Sequence, residues 1–335
     1  MTRVLAIETS CDETAAAVVV DGRIIESSVV SSQIDLHARF GGVVPEIAGR
    51  AHATRIVPVI REALALAGLS SDGRGVDLVA ATVGPGLIGA LLVGVSTAKA
   101  MALAWGVPFV GVNHLEAHLY SPFLEHPDVE LPLVCLLVSG GHTLLIEVTT
   151  PTAYRVVGTT IDDAAGEAFD KVARFLGLGY PGGPAIDRIS GPDGGGDAGS
   201  VVFPRAMRNE GYDFSFSGLK TSVINHVRKH PHARTEDVAA SFQEAVVDVL
   251  VSKTLRAAAE LGARAVCLGG GVAANSSLRA RTAQRCSEAG LRCYLPPRAM
   301  CTDNAAMVGA AAWWRLSVDG VTGLDAGADP NLRLR

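Results

Sequence analysis

The sequence predicts an α/β protein of two similar lobes, and three observations carry that prediction. Its 335 residues are enough for about two domains, each with a sizeable core. Short apolar runs bounded by turn residues alternate with longer runs of helical spacing, the order expected of an α/β fold. The opening pattern of three strands also returns near residue 131, so the chain reads as a duplicated β-β-β-α unit, one copy per half. The lobes are expected at residues 1–115 with about 305–335, and at 116–304, with a central cleft between them.

The first strands are RVLAIETS, TAAAVVV and, after the Asp21-Gly22 turn, RIIESSVV. Residues 44–67 have helical spacing. VDLVAATV reads as a buried strand, LIGALLVGVSTAKAMALA as a buried helix and PFVGVN as another buried strand. The apolar helix is broken by Lys99 and dense in small residues, which argues for a core element and against a membrane span. LPLVCLLVSGG, HTLLIEVT and AYRVVGTT repeat the three-strand opening, and a helix follows from about Asp162. A long helix near 235–261, the strand RAVCLGGG, the helix VAANSSLRARTAQRCSEA, the short strand RCYLP and a last helix from about Asp303 complete the series.

Composition narrows the function. Hydrophobic residues make up 48% and charged residues 19%, as in a well-folded soluble chain. A net charge of −5 provides no global basic field, so any RNA partner needs a local patch or a helper subunit. The opening MTRVLAIETSCDET is unlike a secretion signal. Cys11, Cys135, Cys267, Cys286, Cys293 and Cys301 form no CxxC pair and read as reduced thiols, so a cytoplasmic location is expected.

VGPGLIG matches G-x-G-x-x-G at Gly84, Gly86 and Gly89, between a strand and a helix. The next strand ends in Asn113 and His114 where a dinucleotide site wants an acid, which weighs against NAD. Three polar turns are better nucleotide candidates. TSCDET and SGGHT follow the first strand of each copy and can aim backbone N–H groups at phosphate, with Ser139, Gly140 and Gly141 small enough for close approach. GGGVAANSSL joins a strand to a helix, leaves room for a flat base and offers the Asn275 amide. Asp163, Glu167 and Asp170, at i, i+4 and i+7, are expected on one helix face as a stripe of like charge that suits ribose hydroxyls or a cation. The turn at Gly182-Gly183 precedes Asp187, which can complete a ribose pocket.

The stretch NHLEAHL sets His114 and His118 one helical turn apart, so both imidazoles can reach one metal. A zinc protease of the HExxH type needs its glutamate directly after the first histidine. Leu115 stands there, and Glu116 lies about 200° around the helix from His114. Asp303, at the start of the last helix, is a candidate third ligand, and two histidines with one carboxylate suit Fe(II) or Zn. Spacing alone favours a purely structural histidine pair somewhat over a metal site. NHVRKHPHAR (225–234), with Arg228, Lys229 and Arg234, and nearby Arg205 and Arg208, can touch phosphates or be a solvated loop.

Taken together, IETSCDET, LHARFGGVVPEIAGRAH, GPGLIGALLVG, NHLEAHL, LLVSGGHT, IDDAAGEAFDK, YPGGPAID, DFSFSGLKT, GGGVAANSSLR and CTDNAAM, spread over residues 7–307, resemble the bacterial TsaD family. These are tRNA N(6)-adenosine threonylcarbamoyltransferases, formerly called O-sialoglycoprotein endopeptidases. The resemblance implies a two-lobed actin/Hsp70/hexokinase-like fold. It implies one metal, Fe(2+) or else Zn(2+), on His114, His118 and Asp303. It implies an adenylate-bearing substrate, threonylcarbamoyl-AMP, held by Leu137, Val138, Ser139, Gly140, Gly141, Asp170, Gly183, Asp187 and Asn275. The acceptor it implies is the exocyclic amine of the adenosine beside the anticodon, in tRNAs reading codons that begin with A. No serine or cysteine nucleophile is expected. Implied partners are tRNA, an inactive paralogue subunit forming a heterodimer, and a small ATPase subunit, with no membrane. A small-molecule kinase on the same fold is the alternative; it leaves both histidines and Asp303 without a role.

Overall fold

The computed structural model describes residues 1–126, 128–191 and 194–334. Its strands are β1 (Arg3–Glu8), β2 (Glu13–Val20), β3 (Ile24–Ser32), β4 (Leu78–Gly84), β5 (Phe109–Asn113), β6 (Leu133–Val138), β7 (Thr143–Thr150), β8 (Ala153–Thr159), β9 (Ala265–Gly269) and β10 (Arg292–Tyr294). Its helices are α1 (Ile34–Ala38), α2 (Pro45–Leu66), α3 (Ile88–Trp105), α4 (His114–Glu125), α5 (Ala165–Phe175), α6 (Gly182–Ser190), α7 (Ser217–Lys229), α8 (Thr235–Glu260), α9 (Ser276–Glu288), α10 (Arg298–Cys301) and α11 (Ala305–Asp319).

The chain divides into two compact units, Met1–Val129 with Asp303–Arg335, and Glu130–Thr302. The sequence reading placed the first boundary at 115/116. Helix α4 instead stays whole in the first unit, because its Glu116 is paired with Arg315 of α11.

The duplication is explicit in the sheets. The first is ordered β3-β2-β1-β4-β5 and the second β8-β7-β6-β9-β10, so each strand of one has a counterpart in the other. In both, a three-stranded antiparallel meander continues through a parallel neighbour: β1 pairs antiparallel with β2 and parallel with β4, and β6 does the same with β7 and β9. Strands covered on both faces read as unbroken apolar runs. β2 and β6 are such strands, with every residue buried.

In the first unit, α2 and α3 supply Val59, Ile60, Leu64 and Ala98 to a core with Leu5, Ile7, Val18 and Val79 of the sheet. Helix α11 is rich in alanine, and a Cβ at its Gly309 would sit 2.8 Å from Val19, so small residues let it lie close on the strands. The reading of α3 as a buried helix needs correction. It is long and apolar enough to cross a membrane by length and composition, yet only Ala90, Leu91, Gly94, Val95, Ala98 and Ala102 are buried. Ile88, Leu92 and Leu103 remain exposed. Successive steps of 100° place those three within about 60° of one another, but Lys99 falls among them at about 20°, so this face is apolar with a cation in its middle.

The second unit is built around α8. Phe242, Val246 and Leu250 of that helix pack with Phe169, Val172, Val134 and Leu136. Lys253 of α8 is fully buried. Its ammonium donates to the carbonyls of Glu210 and Gly211 and lies over the Phe214 ring, so it is satisfied without a carboxylate.

Gly270, just after β9, has φ +83° and would place a Cβ 2.4 Å from the Val138 carbonyl oxygen. Gly270→Ala is therefore expected to cost the second unit about 1–3 kcal/mol, seen as a lower unfolding midpoint in urea. An unchanged midpoint would contradict this.

Candidate metal centre and nucleotide-binding turns

Three elements of the first unit converge on the metal candidates. Asn113 ends β5 and caps α4, accepting from the backbone N–H groups of Leu115 and Glu116 at 2.9 and 3.2 Å. This starts the helix abruptly and sets His114 on its first turn, with His118 one turn on. Asp303 precedes α11, which Asn304 caps through a hydrogen bond from Met307 N–H.

The donor atoms of His114, His118 and Asp303 lie within 4.8 Å of one another. An Asp303 carboxylate oxygen (Oδ1) is 3.4 Å from His114 Nε2 and 3.3 Å from His118 Nε2. Ligands arranged tetrahedrally around an ion at 2.0–2.1 Å are separated by about 3.3–3.4 Å, so both histidine–carboxylate distances suit one shared metal. His118 gives a second sign. It is 1% exposed, yet neither ring nitrogen makes a hydrogen bond. A buried imidazole with no such partner is costly unless an ion takes its lone pair.

Glu8, which the sequence reading did not single out, completes the arrangement. It ends β1, is fully buried, and lies 3.2 Å from His114 Nδ1. Thr82 Oγ1 donates to the same carboxylate, and Ser10 N–H donates to its other oxygen. A carboxylate on one imidazole nitrogen holds the ring so that the other nitrogen faces the metal. Burial alone would raise the Glu8 pKa, but His114 outweighs it and lowers it. Burial likewise opposes charge on His114, but Asp303 and Glu8 push its pKa up to about 9. Burial, with Asp303 and Asp12, pushes Glu13 up to about 9. Buried carboxylates thus surround His114, and a cation bound there would be attracted to them. Glu8→Gln should weaken metal binding or activity about 10–100-fold, read by competition with a coloured chelator. Unchanged affinity would contradict the orienting role.

Glu116 points away from this site. It is 3% exposed and receives hydrogen bonds from Arg315, as the failed protease geometry requires.

In the second unit, the nucleotide candidates surround the ends of β6 and β9. Leu137 and Val138 are strand residues, and the turn after them closes through Ser139 N–H to the His142 carbonyl. Gly140 and Gly141 have no neighbour within 4 Å of a notional Cβ, and neither has Gly183. Gly166 N–H donates to the Ser139 carbonyl. Asp170 accepts from Gly182 N–H at 2.7 Å, and Asp187 accepts from the N–H and hydroxyl of Ser276 at 3.0 and 2.7 Å. Asn275 caps α9 through Leu278 N–H and donates to Gln243. This chain of contacts joins all of these residues within one unit.

Two expectations change. The acidic stripe is not an uncompensated one. Asp163 lies outside α5 and pairs with Lys171 and Lys220, Glu167 pairs with Lys171, and Asp170 separately anchors the α6 turn. The basic candidates are also less free than their charges suggest, since Arg205 and Arg208 pair with Asp248, and Arg234 with Glu236 and Asp237.

Two sheets of matching order, each opening with an antiparallel meander and carrying glycine turns at its strand ends, define an actin/Hsp70/hexokinase-like α/β protein, here with a two-histidine, one-carboxylate centre in the first unit. The full-length form of HypF in its phosphate- and nucleotide-bound state shares the fold, with a TM-score of 0.64 at 14% identity over 96% of this chain and 47% of that one. The family model described as tRNA N6-adenosine threonylcarbamoyltransferase, TsaD, matches residues 24–310. Proteins of that name from Moorella thermoacetica and Anaeromyxobacter dehalogenans strain 2CP-1 are 53% and 54% identical, over 99% and 100% of this chain and 97% and 100% of theirs. The chain belongs to the TsaD family. Nothing in these relatives supports the kinase alternative.

Proposed function

We propose that this chain transfers a threonylcarbamoyl group from threonylcarbamoyl-AMP to the exocyclic amine of the adenosine beside the anticodon, in tRNAs reading codons that begin with A. The observation that carries the reading is the pair of features on a chain of this family: a three-ligand centre with an orphaned buried histidine, and open glycine turns in the second unit. The amine nitrogen bonds to the carbamoyl carbon, the bond from that carbon to the phosphate oxygen breaks, AMP leaves, and the amine gives up a proton. No side-chain nucleophile takes part.

His114, His118 and Asp303 hold the ion, with Glu8 fixing His114. Iron suits this donor set and zinc is the second choice. When bound, such an ion supplies Lewis acidity and positive charge. The turn from Leu137 to Gly141 leaves backbone open to the adenylate phosphate, and Gly183 leaves space beside it. A carboxylate has about four lone-pair sites, of which Ser276 uses two on Asp187, so acceptors are left for ribose hydroxyls. Asp170, on α5, holds the start of α6 through the Gly182 N–H. Asn275 keeps one amide proton for the base.

The partners are tRNA, an inactive paralogue subunit and a small ATPase, and the setting is the cytoplasm. The exposed Ile88, Leu92 and Leu103 side chains of α3, with Lys99 among them, offer apolar surface to a protein partner. The test is reconstitution. The purified chain, its partners, threonylcarbamoyl-AMP and unmodified tRNA should yield the modified nucleoside in a nuclease digest read by mass spectrometry. No product, with each partner folded and active, would overturn the proposal.

A further inference from the structure

The segment after α11 runs back over the ends of β4 and β5. Thr322 N–H donates to the Phe109 carbonyl, and Gly111 N–H to the Thr322 hydroxyl. Lys99 donates to the Ala326 carbonyl. Asp329 N–H donates to the Val83 carbonyl at 2.8 Å, and Gly86 N–H to the Pro330 carbonyl at 3.2 Å. The chain then reaches Asn113. With the Asn113 oxygen committed to capping α4, its amide N–H group points outward and donates to the carbonyls of Leu332 and Arg333 at 3.4 and 3.1 Å.

Two short routes therefore lead from residues 329–333 to His114. One runs through Asn113, the residue directly before it. The other runs through the turn at Gly84–Gly86. A Cβ on Gly84 would meet the Asp329 carbonyl oxygen at 1.9 Å, and one on Gly86 would meet Ser10 O at 2.5 Å. Ser10 Oγ is 3.2 Å from His114 Nδ1. Neither route passes through the ligands themselves.

We propose that residues 329–333 form a strap that positions His114 through the Asn113 side chain, so that the metal affinity of the centre depends on contacts made by this distant segment. Asn113 is a positioning residue here. The inference rests on the metal reading above. It goes beyond that reading by assigning a role to Asn113 and to a segment that supplies no ligand.

The test uses the full chain, stripped of metal and titrated with cobalt(II), whose visible absorption reports the ligand geometry. Wild-type protein should bind one ion, and Asp303→Ala should abolish the signal. Asn113→Ser keeps a helix-capping oxygen but is too short to reach the strap. It should weaken cobalt binding about 10–100-fold and alter the spectrum. Gly84→Ala pushes the strap away from the other side and should act in the same direction. If the strap works through Asn113, the double variant should bind hardly more weakly than the worse single one. Circular dichroism of the metal-free proteins separates this from misfolding. Should Asn113→Ser fail to fold, Asn113→Asp keeps the cap while setting a carboxylate against the two carbonyls. It should bind cobalt more weakly despite its added negative charge. Wild-type-like binding by a folded Asn113 variant, or effects that simply multiply in the double variant, would overturn the strap. Failure of the wild type to bind cobalt would overturn the metal reading and the strap with it.

Discussion

Asp303→Ala should reduce threonylcarbamoyl transfer to tRNA by about 10³-fold, the several kcal/mol expected when a metal's charge stabilisation is lost. Asp303 is the one carboxylate of the triad, and its Oδ1 lies within 3.4 Å of both histidine Nε2 atoms. Its removal leaves two imidazoles, a set too weak to hold iron or zinc firmly. The fold of the metal-free variant should persist, because Asn304 and not Asp303 caps α11, and circular dichroism checks it. Activity measured in the reconstituted reaction, with bound metal counted in the same samples, checks both halves. Wild-type metal content with activity lost would assign Asp303 to another task.

Arg315→Met should cost about 3–5 kcal/mol, since it leaves the Glu116 carboxylate buried without its cation. The side chains of Arg315 and Glu116 are 15% and 4% exposed, and Arg315 also bonds Asp319. The pair clasps α4 to α11, and α4 presents His114 and His118 from its other side. The loss should therefore appear in metal affinity as well as in chemical denaturation. Replacing both partners, Glu116→Leu with Arg315→Met, should recover most of the stability, because the penalty lies in the unpaired charge. A double variant as unstable as the single one would contradict this account.

What could be read from the sequence follows from what is local. The three-strand openings, α2, α8 and the last helix were legible because each is an apolar or helically spaced run of the right length bounded by turn residues. The repeat of that pattern also implied two matching sheets, and the strand orders bear this out. The histidine pair was legible because both candidate ligands share one helix. Glu8 was not, since its partner His114 lies 106 residues away and nothing near IETS marks the acid as special. The acidic stripe misled for the same reason. The charge that compensates Asp163 comes partly from Lys220, 57 residues on. Helix α3 is apolar on nearly every side, so periodicity could not tell its buried face from its exposed one. Lys253 is hidden in a long helix, and only the fold shows that backbone carbonyls satisfy it.

The most direct measurement is metal removal and return in the reconstituted reaction. The chain would be stripped with a chelator, dialysed, and supplied with graded amounts of iron(II), or zinc(II) in parallel, before donor and tRNA are added. Product would be counted by mass spectrometry against bound metal. The account predicts negligible product from the stripped chain, and recovery that rises with occupancy and levels off at one ion per chain. Full transfer by a chain shown to be free of metal would contradict it.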